Sequence, residues 1–246
     1  MNFLTGTELL IGKEAIAKLR QSTVAIFGIG GVGSFAAEAL GRCGIGNLVL
    51  IDHDIINESN INRQIHATSK TINCYKVDIM KERLIEINPK IKIKTFTKMY
   101  NDLSKEELLS KEYDYVVDAI DTISGKVSLI INCIEKGIPI ISSMGAGNKL
   151  DPTKFMVADI YETKMCPLAK IIRRELKKYG IDSLKVVYST EKPIIPAIKT
   201  GEKIGNSSLI NNKVLGSISF VPSAAGLILS SVVVNDLING LLDSKL

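Results

Sequence analysis

The run Gly28-Ile29-Gly30-Gly31-Val32-Gly33, directly behind the apolar segment 23–27, constrains this chain more than any other feature. Glycines so closely spaced make a turn that side chains would obstruct. Between a strand and a helix, such a turn lets backbone N–H groups approach phosphates at the positive end of the helix. The pattern predicts a strand, the turn, and a helix over 34–43. Asp52 ends the next apolar run, 19 residues beyond Gly33, where a carboxylate can accept hydrogen bonds from both ribose hydroxyls. Together they predict an adenosine-containing nucleotide, against the competing reading of a tight turn without ligand. Taken alone, this pair fits a dinucleotide-dependent dehydrogenase equally well.

Apolar, β-rich runs at 23–28, 47–52, 91–96, 115–118 and 138–142 read as strands, and helical patterns separate them. Parallel strands need crossovers of that kind, so the fold class is α/β: a doubly wound Rossmann-like sheet, mostly parallel, with an appended C-terminal lobe. Ahead of Pro89, Val77, Met80, Leu84 and Ile87 recur at intervals of three and four and give one buried helix stripe. The turn-rich segment 145–152 divides residues 1–150, a nucleotide-binding core with an N-terminal helical segment, from 151–246, a substrate and dimerisation lobe integral to the same domain. Residues 199–213, with little apolar surface to bury, read as a mobile loop. Residues 214–234 carry no charge over 21 positions, long enough to span a bilayer. Their five serines, two glycines and Pro222 favour a strand followed by a buried helix at a subunit interface, without stable membrane insertion.

Cys43, Cys74, Cys133 and Cys166 are scattered without a C-x-x-C pair, and the start lacks a signal peptide's design, so a reducing, cytoplasmic setting is expected. Two histidines and no cysteine pairs leave too few ligands for a structural zinc site. The net charge of +5 is modest, but residues 160–213 hold eleven Lys/Arg against five acids. Much of that excess lies in 167–180, which has proline at its first turn and glycine at its end and so reads as one helix. Leu168, Ile171, Ile172, Leu176 and Tyr179 then face the core, turning Lys170, Arg173, Arg174, Lys177 and Lys178 outward. A solvated basic face and a phosphate-binding face both fit that pattern.

The segment 51–64 moves the nucleotide reading from NAD to ATP. Arg63 supplies a planar fork for phosphate oxygens, and Lys76, thirteen residues later, supplies a point charge. Both offset the charge that builds on departing pyrophosphate, and a dehydrogenase needs no such clamp. Asp118 and Asp121 fall at the carboxyl edge of the fourth strand. Asp121 is the magnesium candidate and Asp118 a supporting or helix-capping group.

These segments read G-x-G-G-x-G, D-x-D-x-x-x-x-S-N-x-x-R-Q, the later lysine, and D-x-x-D. They resemble the ubiquitin-activating-enzyme superfamily in its bacterial ThiF/MoeB/HesA form. The resemblance implies that Asp52, Asn60, Arg63, Lys76 and Asp121 bind ATP and magnesium. Asp54 and Gln64, with Gly28, Gly30, Gly31 and Gly33, complete the nucleotide set, and Arg63, Lys76 and Asp121 carry the catalytic charge. Residues 62–67 (NRQIHA), 145–152 (GAGNKLDP) and 187–191 (VYSTE) are further similar to the tRNA threonylcarbamoyladenosine dehydratase subfamily.

That similarity implies a ligase of the adenylate-forming kind: the threonyl carboxylate of a modified adenosine beside the tRNA anticodon is adenylated, then attacked intramolecularly to close a ring and release AMP. It also implies a homodimer, tRNA as partner, and a sulfur-transfer or desulfurase-type protein as a candidate second partner; with a tRNA substrate, the basic face of 167–180 is expected to place Lys170, Arg173, Arg174 and Lys177 on its phosphates. The alternative is adenylation of the C-terminal glycine of a ubiquitin-like sulfur carrier. Missing zinc cysteines argue against that role, and intact Arg63, Lys76 and Asp121 argue against a non-enzymatic adaptor. One departure stands out. Sulfur-carrier activators have an N-terminal R-x-x-R reaching the partner's ATP, and here those positions are Phe3 and Gly6. Cys166 is read as a buried structural thiol, with a nucleophilic role as the lesser reading.

Overall fold

The computed structural model describes residues 3–195, 209–210 and 213–241. Helix α1 (Thr5–Gln21) leads into β1 (Thr23–Phe27), α2 (Gly33–Cys43), β2 (Asn47–Ile51), α3 (Lys76–Ile87) and β3 (Lys92–Phe96). Then come α4 (Lys105–Leu108), β4 (Tyr115–Asp118), α5 (Ile123–Lys136), β5 (Ile140–Ser143), β6 (Phe155–Asp159), α6 (Pro167–Lys177) and β7 (Lys185–Ser189). A two-stranded pair, β8 (Leu209–Ile210) and β9 (Lys213–Val214), precedes α7 (Phe220–Leu237). The seven-stranded sheet runs β3-β2-β1-β4-β5-β7-β6 and is parallel except where β6 pairs antiparallel with β7. The doubly wound, mostly parallel architecture is thus as expected. The residues after 150 extend the same sheet by two strands.

Side-chain alternation builds two cores, because successive strand residues point to opposite faces. Val24 and Ile26 of β1 join Leu48, Leu50, Tyr115 and Val117 against α2, α3 and α7. Ala25 and Phe27 join Val49, Ile51 and Val116 against Leu129 and Cys133 of α5. Three of the four residues of the predicted stripe on α3, Val77, Met80 and Leu84, are fully buried, while Ile87 at the helix end is only partly so. All four cysteines are unpaired.

The uncharged stretch resolves as β9 followed by α7, which is long and apolar enough to cross a membrane by composition alone. It packs instead along α2. A Cβ on Gly226 would fall 2.4 Å from Val32 O, so only glycine permits so close an approach of the two backbones. Ser230 Oγ then donates to Ala36 O at 3.0 Å. Phe220 and Leu227 remain exposed on α7, where the expected dimer contact would fall. Of the expected mobile loop 199–213, positions 209–210 and 213 belong to the β8–β9 pair and the rest lie outside the described residues.

Two readings of the basic helix need correction. The α-helix ends at Lys177, and Tyr179 lies in the following turn, 61% exposed rather than in the core. Arg173 turns inward: its Nη1 donates to Thr163 O and Thr163 Oγ1, both at 2.9 Å. Lys170, Arg174 and Lys177 are exposed as expected.

Candidate nucleotide and substrate site

The carboxyl ends of β1, β2, β4 and β5 meet at one edge, and the sequence-predicted residues gather there. Two glycines close the turn. Gly28 has φ +89°, and a Cβ on it would sit 2.6 Å from Ala119 O; one on Gly33 would sit 1.8 Å from Gly28 O. Gly30 leaves room, since a Cβ on it would meet only Gln64 Nε2 at 3.9 Å, whereas one on Gly31 would press on Pro222 Cβ at 3.2 Å and Arg63 Cγ at 3.3 Å. Ser34 N donates to Gly30 O at 3.0 Å, so α2 begins inside the turn with its positive end toward the edge.

Asp52 is buried, and its carboxylate ties the turn to the end of β2. Oδ2 accepts from Ile29 N at 2.6 Å and Oδ1 from Asp54 N at 2.9 Å. Asn60 is also buried and accepts from Asn57 N at 3.1 Å, which leaves its amide Nδ2 as the group able to donate to a ligand. Lys76 has a side chain only 7% exposed, and its ammonium meets Asp54 at 2.6 Å. Arg63 is half-buried and donates from Nη1 to Ser59 O at 2.7 Å and Asn62 Oδ1 at 2.9 Å. Desolvation lowers its pKa. Gln64 is buried beside Gly30, and its Oε1 has no hydrogen-bond partner among the described residues.

Across the edge, Asp121 is exposed. Asp118 is fully buried and caps no helix; Thr122 occupies the position before α5. Its Oδ2 instead meets Lys126 Nζ at 2.8 Å and Ser142 Oγ at 2.6 Å, while its Oδ1 accepts from Ile120 N at 3.1 Å. Lys126 was not expected. The available signal was a lone lysine inside the apolar helical run 123–134. His66 was also missed although quoted in its motif. It is buried with both ring nitrogens unpartnered among the described residues. Burial, with Lys76 and Arg83 nearby, pushes its pKa down to about 4, so the ring is neutral.

The second half of the site joins two segments far apart in sequence. The Glu191 carboxylate accepts from Leu150 N and Asp151 N, each at 3.0 Å. Lys149, buried, donates to Glu191 O at 2.6 Å, and desolvation lowers its pKa. Cys166 is buried close by, its Sγ 3.8 Å from where a Cβ on Gly145 would lie.

A parallel sheet carrying a glycine turn, a buried lysine, a half-buried arginine and an exposed carboxylate at its carboxyl edge defines an enzyme class that binds a nucleoside triphosphate and works on its phosphates. Residues 6–229 match the ThiF family, and the chain belongs to that family. It is 45% identical over 235 residues to the tRNA threonylcarbamoyladenosine dehydratase of Bacillus subtilis (strain 168), covering 94% of this chain and 92% of that protein. It is 38% identical over 202 residues to the Escherichia coli (strain K12) protein of the same name, covering 78% and 74%. The crystal structure of E. coli tRNA N6-threonylcarbamoyladenosine dehydratase, TcdA, in complex with ATP superposes with a TM-score of 0.83 at 32% identity, over 95% of this chain and 92% of that one.

Proposed function

We propose that this chain is an ATP-using, adenylate-forming enzyme that dehydrates threonylcarbamoyladenosine in tRNA. The observation that carries it is the 45% identity over 94% of the chain, which spans both halves of the site. The threonyl carboxylate attacks the α-phosphate of ATP and pyrophosphate leaves; the carbamoyl group then attacks the acyl carbon intramolecularly and loses a proton, closing the ring and releasing AMP. A carboxylate is a poor electrophile until its oxygen becomes a leaving group, so the protein positions the reactants and stabilises charge. No cysteine is needed on that route.

Asp52 receives the ribose hydroxyls, Asn60 and Gln64 donate to the nucleotide, and Lys76 and Arg63 hold the phosphates. Asp121 would hold Mg²⁺, which neutralises phosphate charge as pyrophosphate departs. Incubation with ATP·Mg and tRNA bearing threonylcarbamoyladenosine should give AMP together with a nucleoside lighter by one water. An unchanged nucleoside, with AMP appearing only when a ubiquitin-like sulfur carrier is added, would replace this reading with the alternative activity.

The exposed basic face of α6 fits tRNA phosphates, and the chain acts on this substrate in the cytoplasm. Arg173 is left out of the test because it tethers the turn at Thr163. Reversing Lys170, Arg174 and Lys177 to glutamate should weaken tRNA binding by about tenfold or more at low salt and flatten its salt dependence, with ATP affinity unchanged. Undiminished tRNA affinity would return the helix to a solvated surface.

A further inference from the structure

The segment 215–219, which leads into α7, is bonded to the loops after β2 and after β5, the strands that flank β1 and β4 in the sheet. On the β5 side, Gly216 N donates to Asn148 Oδ1 at 2.6 Å and Asn148 N donates to Gly216 O at 2.8 Å. On the β2 side, Asn62 Nδ2 donates to Ser217 O at 3.0 Å, and Asn62 Oδ1 accepts from Arg63 Nη1 at 2.9 Å. The amide orientation is fixed by these partners, since a carbonyl needs a donor and a guanidinium an acceptor. One small side chain therefore joins the strap to the guanidinium of Arg63.

We propose that Asn62 is a positioning residue for Arg63, holding the guanidinium in register with the 215–219 strap so that the ATP clamp is complete only when the strap is seated. This rests on the adenylating activity proposed above. Arg63 also bonds Ser59 O, so losing Asn62 leaves it charged and near the site but with one fewer fixed direction. Misplacement by about 1 Å costs on the order of 10²-fold in a reaction that depends on alignment, while ground-state affinity suffers less.

The experiment is steady-state AMP formation on modified tRNA with ATP titrated. Asn62→Ala should lower kcat by about ten- to a hundredfold, with the KM for ATP within about threefold of wild type and an unchanged melting temperature, because the side chain is exposed. Asn62→Asp, which keeps the acceptor but cannot donate to Ser217 O, should lower kcat as well. Asn148→Gly suits the left-handed backbone there (φ +58°) and removes the side-chain bond to Gly216 N, loosening the strap at its other anchor while the backbone bond to Gly216 O remains. It should also lower kcat, and the double variant Asn62→Ala/Asn148→Gly should be no slower than the slower single variant. Unchanged kcat in Asn62→Ala, a tenfold rise in KM at constant kcat, or multiplicative losses in the double variant would overturn the proposal. Wild-type protein that forms no AMP would instead sink the activity itself, so the two failures are distinguishable.

Discussion

Lys76→Ala is expected to cut AMP formation by about 10²–10³-fold, or about 3–4 kcal/mol of transition-state stabilisation, while the protein stays folded. The ammonium is almost fully shielded from water, and its ion-pair partner, Asp54, is itself half exposed. A desolvated charge acts on phosphate far more strongly than one in water. Removing the lysine strands no buried acid, which is why stability should hardly change. Arg63→Ala should act in the same direction. Lys76→Arg should rescue poorly, since a planar fork does not reproduce the compact point charge of a buried ammonium. AMP release at saturating ATP is the measurement, and wild-type turnover in Lys76→Ala would remove this residue from the phosphate clamp.

Lys126→Met should have the largest effect on stability, a loss of about 3–5 kcal/mol from breaking one half of a buried ion pair. Both Lys126 and Asp118 have 0% side-chain exposure. The lysine also donates to Ser142 Oγ at 3.2 Å and Ser143 O at 3.0 Å, so it links α5, β4 and β5 at one point. Without it, Asp118 would be left charged in the core with a hydroxyl and one N–H. Against a total stability of about 5–15 kcal/mol for an ordinary domain, that loss is large. Adding Asp118→Leu should recover part of it, because replacing both members of such a pair removes the stranded charge. Urea midpoints for the two variants decide the matter. A loss below about 1 kcal/mol in Lys126→Met would show that the pair does not hold this edge together.

The same pair bears on function. Asp118 Oδ1 fixes Ile120 N, and Ala119 O lies where a Cβ on Gly28 would clash. The loop that carries Asp121 is therefore braced from beneath by Lys126 and from the side by the glycine turn. A loop that presents an exposed carboxylate needs such support to hold its geometry.

Much of this was legible in the sequence because it depends on local physics. A glycine turn needs φ > 0 and close backbone approach, and both requirements are written in Gly28 and Gly33. Apolar runs and the three-four spacing on α3 set strand and helix faces before any tertiary contact forms. Asp52 and Asp121 follow the ends of β2 and β4 and Lys76 opens α3, positions that spacing predicts because strand ends and helix starts are short-range features. Tertiary structure decided what burial and long-range pairing control. Nothing local distinguishes Lys126, sealed against Asp118, from a solvated lysine, or Arg173, bonded to Thr163, from its exposed neighbour Arg174. Tyr179 followed the helical spacing yet lies in solvent, because the helix ended two residues earlier. Only the insertion of β7 beside β5 brought Glu191 to the 145–152 loop, and only the packing of α7 on α2 carried the 215–219 strap to Asn62. Those contacts join residues 40 to 155 positions apart, so their energies depend on which surfaces meet after folding, a quantity that no window of sequence contains.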